Sequence, residues 1–141
     1  MDGYYPCKEN ELKERGSYVP NATEHALTGA IVGGSLYALM QWGYGRKINR
    51  DELISSAIAG GIGDLLTDKL EPATSPHHRS VFHSASAFGL CVYGYGMINN
   101  HSGITRGEKI LLQGLLTGYA THIMQDSRTP FGVPLIHNKV I

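Results

Sequence analysis

Small residues recur four positions apart within the apolar stretches of this chain, and this pattern constrains the fold more than any other feature. Residues four apart share one face of an α-helix, and small side chains on that face let a neighbouring backbone approach closely. Such packing explains how 18 glycines among 141 residues can be tolerated in helices, where each costs about 1 kcal/mol relative to alanine. The pairs are Gly29 and Gly33, Ala85 and Gly89, and Gly114 and Gly118.

Helix-start signals precede three of the four long apolar stretches. Their spacing is that of a capping box, in which the first residue and the residue three positions later cap each other. The three pairs are Asn21 with Glu24, Asn49 with Glu52, and Thr105 with Glu108. We predict long helices over 22–42, 50–70, 80–98 and 106–126, and a short charged helix over about 8–15. No segment alternates with a period of two, so we expect one all-α domain over residues 1–141, a compact antiparallel bundle.

Charge and composition argue against several classes of protein. Lys and Arg number 12 and Asp and Glu number 12, which argues against a dedicated nucleic-acid binder. Cys7 and Cys91 are far apart and indicate free thiols in a cytoplasmic chain. The first residues show no signal-peptide pattern. Residues 26–45 carry no charge and are long enough to span a bilayer. A buried helix is the favoured interpretation, and attachment to or insertion in the inner membrane stays open.

Histidines and aspartates concentrate at one end of the predicted bundle. Short connections make consecutive helices antiparallel, so the starts of the first and third helices lie beside the ends of the second and fourth. We call this the His/Asp end. Its eight candidates are His25, Asp64, Asp68, His77, His78, His83, His122 and Asp126. The opposite end holds only His101 and Asp51.

The local spacing of these residues suits metal binding. His122 and Asp126 are four apart and share a helix face, as do Asp64 and Asp68. Imidazole and carboxylate ligands suit Zn²⁺, Mn²⁺ or Fe, and the number of candidates suggests two or more ions. Two ions about 3.5–4 Å apart would clamp the attacking and leaving oxygens of a phosphoester. Each pair could instead be a capped or paired helix end, and Asp68 could be a solvated partner of Lys69.

Four stretches carry a resemblance to a known family. They are His25-Ala-Leu-Thr-Gly29, Gly60-Gly-Ile-Gly-Asp64, His78-Arg-Ser-Val-Phe-His83-Ser84, and His122-Ile-Met-Gln-Asp126 followed by Thr129-Pro-Phe-Gly-Val-Pro-Leu135. This set resembles the LexA-regulated, inner-membrane-associated metal-dependent hydrolases, within the superfamily of zinc-dependent phospholipase C and single-strand nucleases. The chain departs from the family pattern where Gly63 and Leu66 replace a proline and an aspartate, and where Ser80 and Phe82 replace a glycine and a threonine.

The resemblance implies a ligand set and a reaction class. The implied metal ligands are His25, Asp64, His78, His83, His122 and Asp126. The implied reaction is hydrolysis of a phosphodiester or a phospholipid headgroup, with zinc as the first candidate metal. Asp64 or Asp126 would bridge two ions or accept the proton of water. The planar guanidinium of Arg79 suits phosphate oxygens, and a surface salt bridge is its alternative role.

Two other functions remain open at this point. The metal could staple a non-catalytic module that binds a partner or a membrane surface. The chain could also be a small integral membrane protein whose polar end faces the cytoplasm. A coordination position open to water separates a catalytic site from a structural one.

Overall fold

Four α-helices form the part of the chain that the computed structural model describes, residues 21–70 and 84–128. They are α1 (Ala22–Gly43), α2 (Arg50–Leu70), α3 (Ala85–Asn100) and α4 (Arg106–Ser127). The described residues contain no strand, which confirms the all-α prediction. The short helix predicted over 8–15 lies outside the described residues.

Capping boxes set the starts of α1 and α4 as predicted. The Asn21 side chain accepts a hydrogen bond from the Glu24 N–H at 3.0 Å, and the Glu24 carboxylate accepts from the Asn21 N–H at 2.8 Å. Thr105 and Glu108 make the same reciprocal pair. Both boxes satisfy N–H groups that the first turn of a helix otherwise leaves without an intrahelical partner.

The predicted box at α2 is only half formed. The Asn49 side chain accepts from the Glu52 N–H at 3.1 Å, but the Asn49 N–H donates to the hydroxyl of Tyr37 on α1. The Glu52 carboxylate binds Tyr37 and Arg106 instead. A charged partner from another helix therefore competes successfully with the local cap.

The third helix begins later than the predicted residue 80. Ser84 is its N-cap, with extended backbone angles (φ −93°, ψ 159°) and a side chain that accepts from the Ala87 N–H at 3.1 Å. An N-cap lies outside the helix by definition, so α3 begins at Ala85. The sequence carries no glutamate three positions after Ser84, and this absence hid the start.

Glycines bring three of the helices into close contact. The backbone of α1 passes Gly60 of α2 so closely that a Cβ on Gly29 would lie 2.5 Å from the Gly60 carbonyl oxygen. On α4, a Cβ on Gly118 would collide with the same Gly60 carbonyl. Helices α1, α2 and α4 thus form a tightly packed group, whereas α3 contacts only α4 among the described helices.

The direction of the helices follows from these neighbours. Gly33 of α1 lies beside Ser56 and Gly29 lies beside Gly60, so α1 and α2 are antiparallel. Gly114 of α4 lies beside Ser56 and Gly118 beside Gly60, so α2 and α4 run in the same direction. The start of α1 and the ends of α2 and α4 therefore meet, as the sequence predicted.

Close packing places several polar side chains in the interior and leaves many large apolar ones exposed. The largest fully buried side chains of the described residues are His122, Thr67 and Asp64. The outer face of α2 exposes an apolar row with four-residue spacing. This row is Ile54, Ile58, Ile62 and Leu66. In the described ranges, no helix combines the length and apolar character that crossing a bilayer requires.

A charged network ties the helices together at the opposite end. Arg106 of α4 donates to both oxygens of Glu52 on α2, through Nε at 2.6 Å and Nη2 at 2.8 Å. Tyr37 of α1 donates to Glu52 Oε2 at 2.6 Å. The Arg106 guanidinium lowers the pKa of Glu52 from 4.5 to about 2, against the opposing effect of burial. The network links α1, α2 and α4 at the end remote from the histidines.

Candidate metal centre

Four of the predicted residues meet where α1 begins and where α2 and α4 end. His25 lies in the first turn of α1, and its N–H closes that turn on the Asn21 carbonyl. Asp64 comes from α2, and His122 and Asp126 come from one face of α4. All four side chains are buried, and Asp64 has no exposed surface. The structure therefore brings these four residues together at one end of the bundle.

Asp64 lies at the centre of the group. Its Oδ1 is 2.8 Å from Nδ1 of His122 and 3.1 Å from Nδ1 of His25. The two imidazole rings stack, with centroids 4.2 Å apart and planes 24° from parallel. A buried carboxylate is costly unless donors surround it, and these contacts supply two of them.

His122 faces further carboxylates with its other ring nitrogen. Its Nε2 lies 3.3 Å from Oδ1 of Asp68 and 3.6 Å from Oδ2 of Asp126. Asp68 is 55% exposed at its side chain, whereas Asp126 is buried. Asp68 therefore lies at the solvent edge of the group, next to the most enclosed imidazole.

The carboxylates decide the protonation of His122. Burial of the ring on its own lowers the pKa of His122, but the neighbouring carboxylates of Asp126, Asp64 and Asp68 outweigh burial and raise the pKa from 6.5 to about 11. The environment of this ring thus stabilises positive charge strongly. A divalent cation would meet the same negative surroundings.

One set of atoms in the group has the spacing of a metal site. His25, His122 and Asp126 each offer a ligand atom within 4.8 Å of the other two, and all three residues are buried. Two imidazoles and a carboxylate are donors that zinc, manganese and iron accept. The described residues therefore contain a buried group that could hold a metal ion.

Several other predicted residues are not among the described residues, and one lies at the opposite end of the bundle. His77, His78, Arg79 and His83 lie outside the described residues, and their roles stay predictions. His101 caps the end of α3, where its Nδ1 accepts from the Gly103 N–H at 3.0 Å. This position is at the opposite end of the bundle, as predicted.

Sequence reasoning missed Gln125. Its Nε2 donates to Oδ2 of Asp64 at 3.1 Å, so three side chains surround this carboxylate. Gln125 lies three residues after His122 on α4, a spacing that places the two on adjoining positions of one helix face. That spacing was the available signal.

No protein-family model, curated protein or solved structure matches this chain.

Proposed function

We propose that this chain is a metal-dependent hydrolase of phosphoesters. The observation that carries the proposal is the buried group of His25, His122 and Asp126, whose ligand atoms lie within 4.8 Å of one another. Three protein ligands of this type leave a position open at a catalytic zinc site. When bound, such an ion supplies Lewis-acid polarisation of a phosphoryl oxygen and acidifies water.

The residues of the site would have two roles: some would bind the ion, and one marks where substrate and water would enter. The two imidazoles and Asp126 would hold the ion, because they converge from α1 and α4 and are already enclosed. Asp68, at the solvent edge beside His122 Nε2, marks the side from which substrate and water would enter. An accessible side favours catalysis over a sealed structural site.

A phospholipid headgroup is the phosphoester that the surface favours. The exposed row of Ile54, Ile58, Ile62 and Leu66 runs along α2 towards the turn that carries Asp68. Exposed apolar patches rimmed by polar residues are typical of interaction surfaces. A lipid surface lying on this row would bring headgroups to the end of α2 that carries Asp68. Contact with a membrane surface therefore forms part of the proposal.

Metal content and hydrolysis test the proposal together. We expect the purified chain to bind at least one equivalent of Zn²⁺ or Mn²⁺ by elemental analysis. Activity would be assayed on a soluble phosphodiester, a soluble phosphomonoester and phosphatidylcholine vesicles, before and after chelation. Asp126→Asn keeps the shape of the side chain but removes its charge, so metal affinity and hydrolysis should fall by orders of magnitude while helical content stays near that of the unmodified chain. Asp51→Asn, at the opposite end, is the matched control.

The outcomes separate the alternatives. Metal bound without hydrolysis of any substrate, together with a loss of thermal stability on chelation, would favour the non-catalytic module. Hydrolysis of vesicles that falls for Ile58→Ser, with soluble substrates unaffected, would support the lipid surface. Absence of metal with full stability would remove the proposed function.

A further inference from the structure

In both imidazoles that contact Asp64, Nδ1 is the nitrogen that faces this carboxylate. Asp64 is fully buried, and its Oδ1 contacts Nδ1 of both His25 and His122. One oxygen that faces two ring nitrogens accepts a hydrogen bond from each of them, so the hydrogen in each contact belongs to Nδ1 of the ring. With Nδ1 occupied in this way, Nε2 is the nitrogen through which either ring can bind a metal.

We infer that Asp64 is a positioning residue that holds both imidazoles in the form that binds metal through Nε2, and that it is not itself a ligand. The inference rests on the proposed function and departs from the role that the family resemblance implies for Asp64. Histidine ligands generally donate their second ring N–H to a carboxylate or carbonyl, which fixes the orientation of the ring. Here a single oxygen serves two rings.

The packing around Asp64 fits a fixed support. A Cβ on Gly29 would lie 2.6 Å from Cβ of Asp64 and 2.9 Å from its Oδ2, so the carboxylate is confined against the backbone of α1. Gln125 occupies Oδ2 from α4. Both oxygens of Asp64 therefore already have protein donors. A carboxylate held by three side chains and a neighbouring backbone is suited to orienting other groups.

The chemistry of His122 on its other side agrees with this role. Its Nε2 is the atom that approaches Asp126 and Asp68, whose carboxylates attract a cation. The ring thus separates a supporting carboxylate at Nδ1 from the candidate ligand group at Nε2. Asp126 belongs to the ligand group, whereas Asp64 lies on the other nitrogen of the same ring.

NMR of the metal-loaded chain tests this assignment directly. The unmodified full chain would be labelled in histidine and loaded with an NMR-active cadmium isotope as the probe. Coordination through Nε2 couples the metal to both carbon-bound ring hydrogens across three bonds, whereas coordination through Nδ1 couples it across three bonds to only one. We expect both couplings for His25 and for His122, and a slowly exchanging Nδ1–H on each ring.

A variant adds a second reading. Asp64→Asn removes the negative charge and one of the two acceptor oxygens. Metal affinity should therefore fall about 10–100-fold, as it does when other groups that orient metal ligands are replaced. The visible spectrum of the Co²⁺-loaded variant should indicate the same number of ligands as the spectrum of the Co²⁺-loaded unmodified chain. Asp51→Asn, the matched substitution at the opposite end, should change neither quantity.

The results distinguish this inference from the proposed function. If no divalent ion binds, the proposed function fails and the inference fails with it. If an ion binds through Nδ1 of either ring, or if Asp64→Asn removes a ligand from the Co²⁺ spectrum, only the inference is overturned. The NMR measurement needs no variant, so poor folding of Asp64→Asn would leave the test intact.

Discussion

Replacement of Gly118 by alanine tests whether the helices pack as closely as the structure shows. A Cβ on Gly118 would collide with the carbonyl of Gly60 and lie 2.8 Å from the backbone nitrogen of Asp64. Ordinary contacts between non-bonded carbon atoms are about 3.5–4.0 Å. The obstructing atoms are backbone, so no side chain can rotate away. Helices α2 and α4 would have to move apart to accommodate the added methyl group.

The magnitude follows from two opposed effects. Alanine favours a helix over glycine by about 1 kcal/mol, whereas overpacking costs about 1–3 kcal/mol and occasionally more. Because two backbones must move along their whole contact, we place the cost for Gly118→Ala at or above the top of that range. The net loss in free energy of unfolding should be about 2 kcal/mol or more.

Gly89→Ala is the matched control. Gly89 also lies within a helix, but a Cβ there meets nothing within 4 Å. Only the helix propensity remains, so Gly89→Ala should raise the free energy of unfolding by up to about 1 kcal/mol. The same substitution is thus expected to have opposite signs at the two positions.

Urea unfolding followed by circular dichroism, with chelator present, measures both changes. The denaturant slope should stay constant if each variant unfolds in two states. A Gly118→Ala chain as stable as the unmodified one, with the same slope and helical content, would refute the close approach of α2 and α4. A destabilised Gly89→Ala chain would show that α3 packs against something at that position.

Two further predictions concern the opposite end of the bundle. Arg106 lowers the pKa of Glu52 to about 2 from 4.5, so the stability from this carboxylate is fully present above pH 4.5 and is lost as the pH falls towards 2. The stability difference between the unmodified chain and Glu52→Gln should therefore shrink across that interval in urea unfolding. His101→Ala should leave metal content by elemental analysis unchanged, and its loss would contradict the helix order.

Local signals explain why the helices could be predicted from the sequence. The capping boxes at Asn21 and Thr105 act within four residues, so nothing elsewhere in the fold is needed to locate them. The box at Asn49 is incomplete because the Glu52 carboxylate accepts hydrogen bonds from Arg106, a residue distant in sequence. Where a charged partner from another helix competes with a cap, the sequence alone does not reveal which of the two contacts forms.

The candidate site likewise has one part that the sequence predicts and one part that it does not. Antiparallel connections were enough to bring His25, Asp64 and His122 to one end, because helix order and loop length determine which ends meet. The contact of one Asp64 oxygen with two rings could not be predicted, since it depends on how far apart the backbones are. Gln125 was missed for the same reason, although its helix face could be read from the spacing.

The glycine pattern and the buried polar group depend on each other. Aspartate has a short side chain, so Asp64 can reach His25 on α1 and His122 on α4 only if both backbones lie close to α2. Gly29 and Gly118 provide that approach on either side of Gly60. Larger residues at these positions would separate the helices and leave Asp64 buried without its donors, at a cost of several kcal/mol. The small residues that first indicated the fold are therefore also a condition for the candidate metal centre.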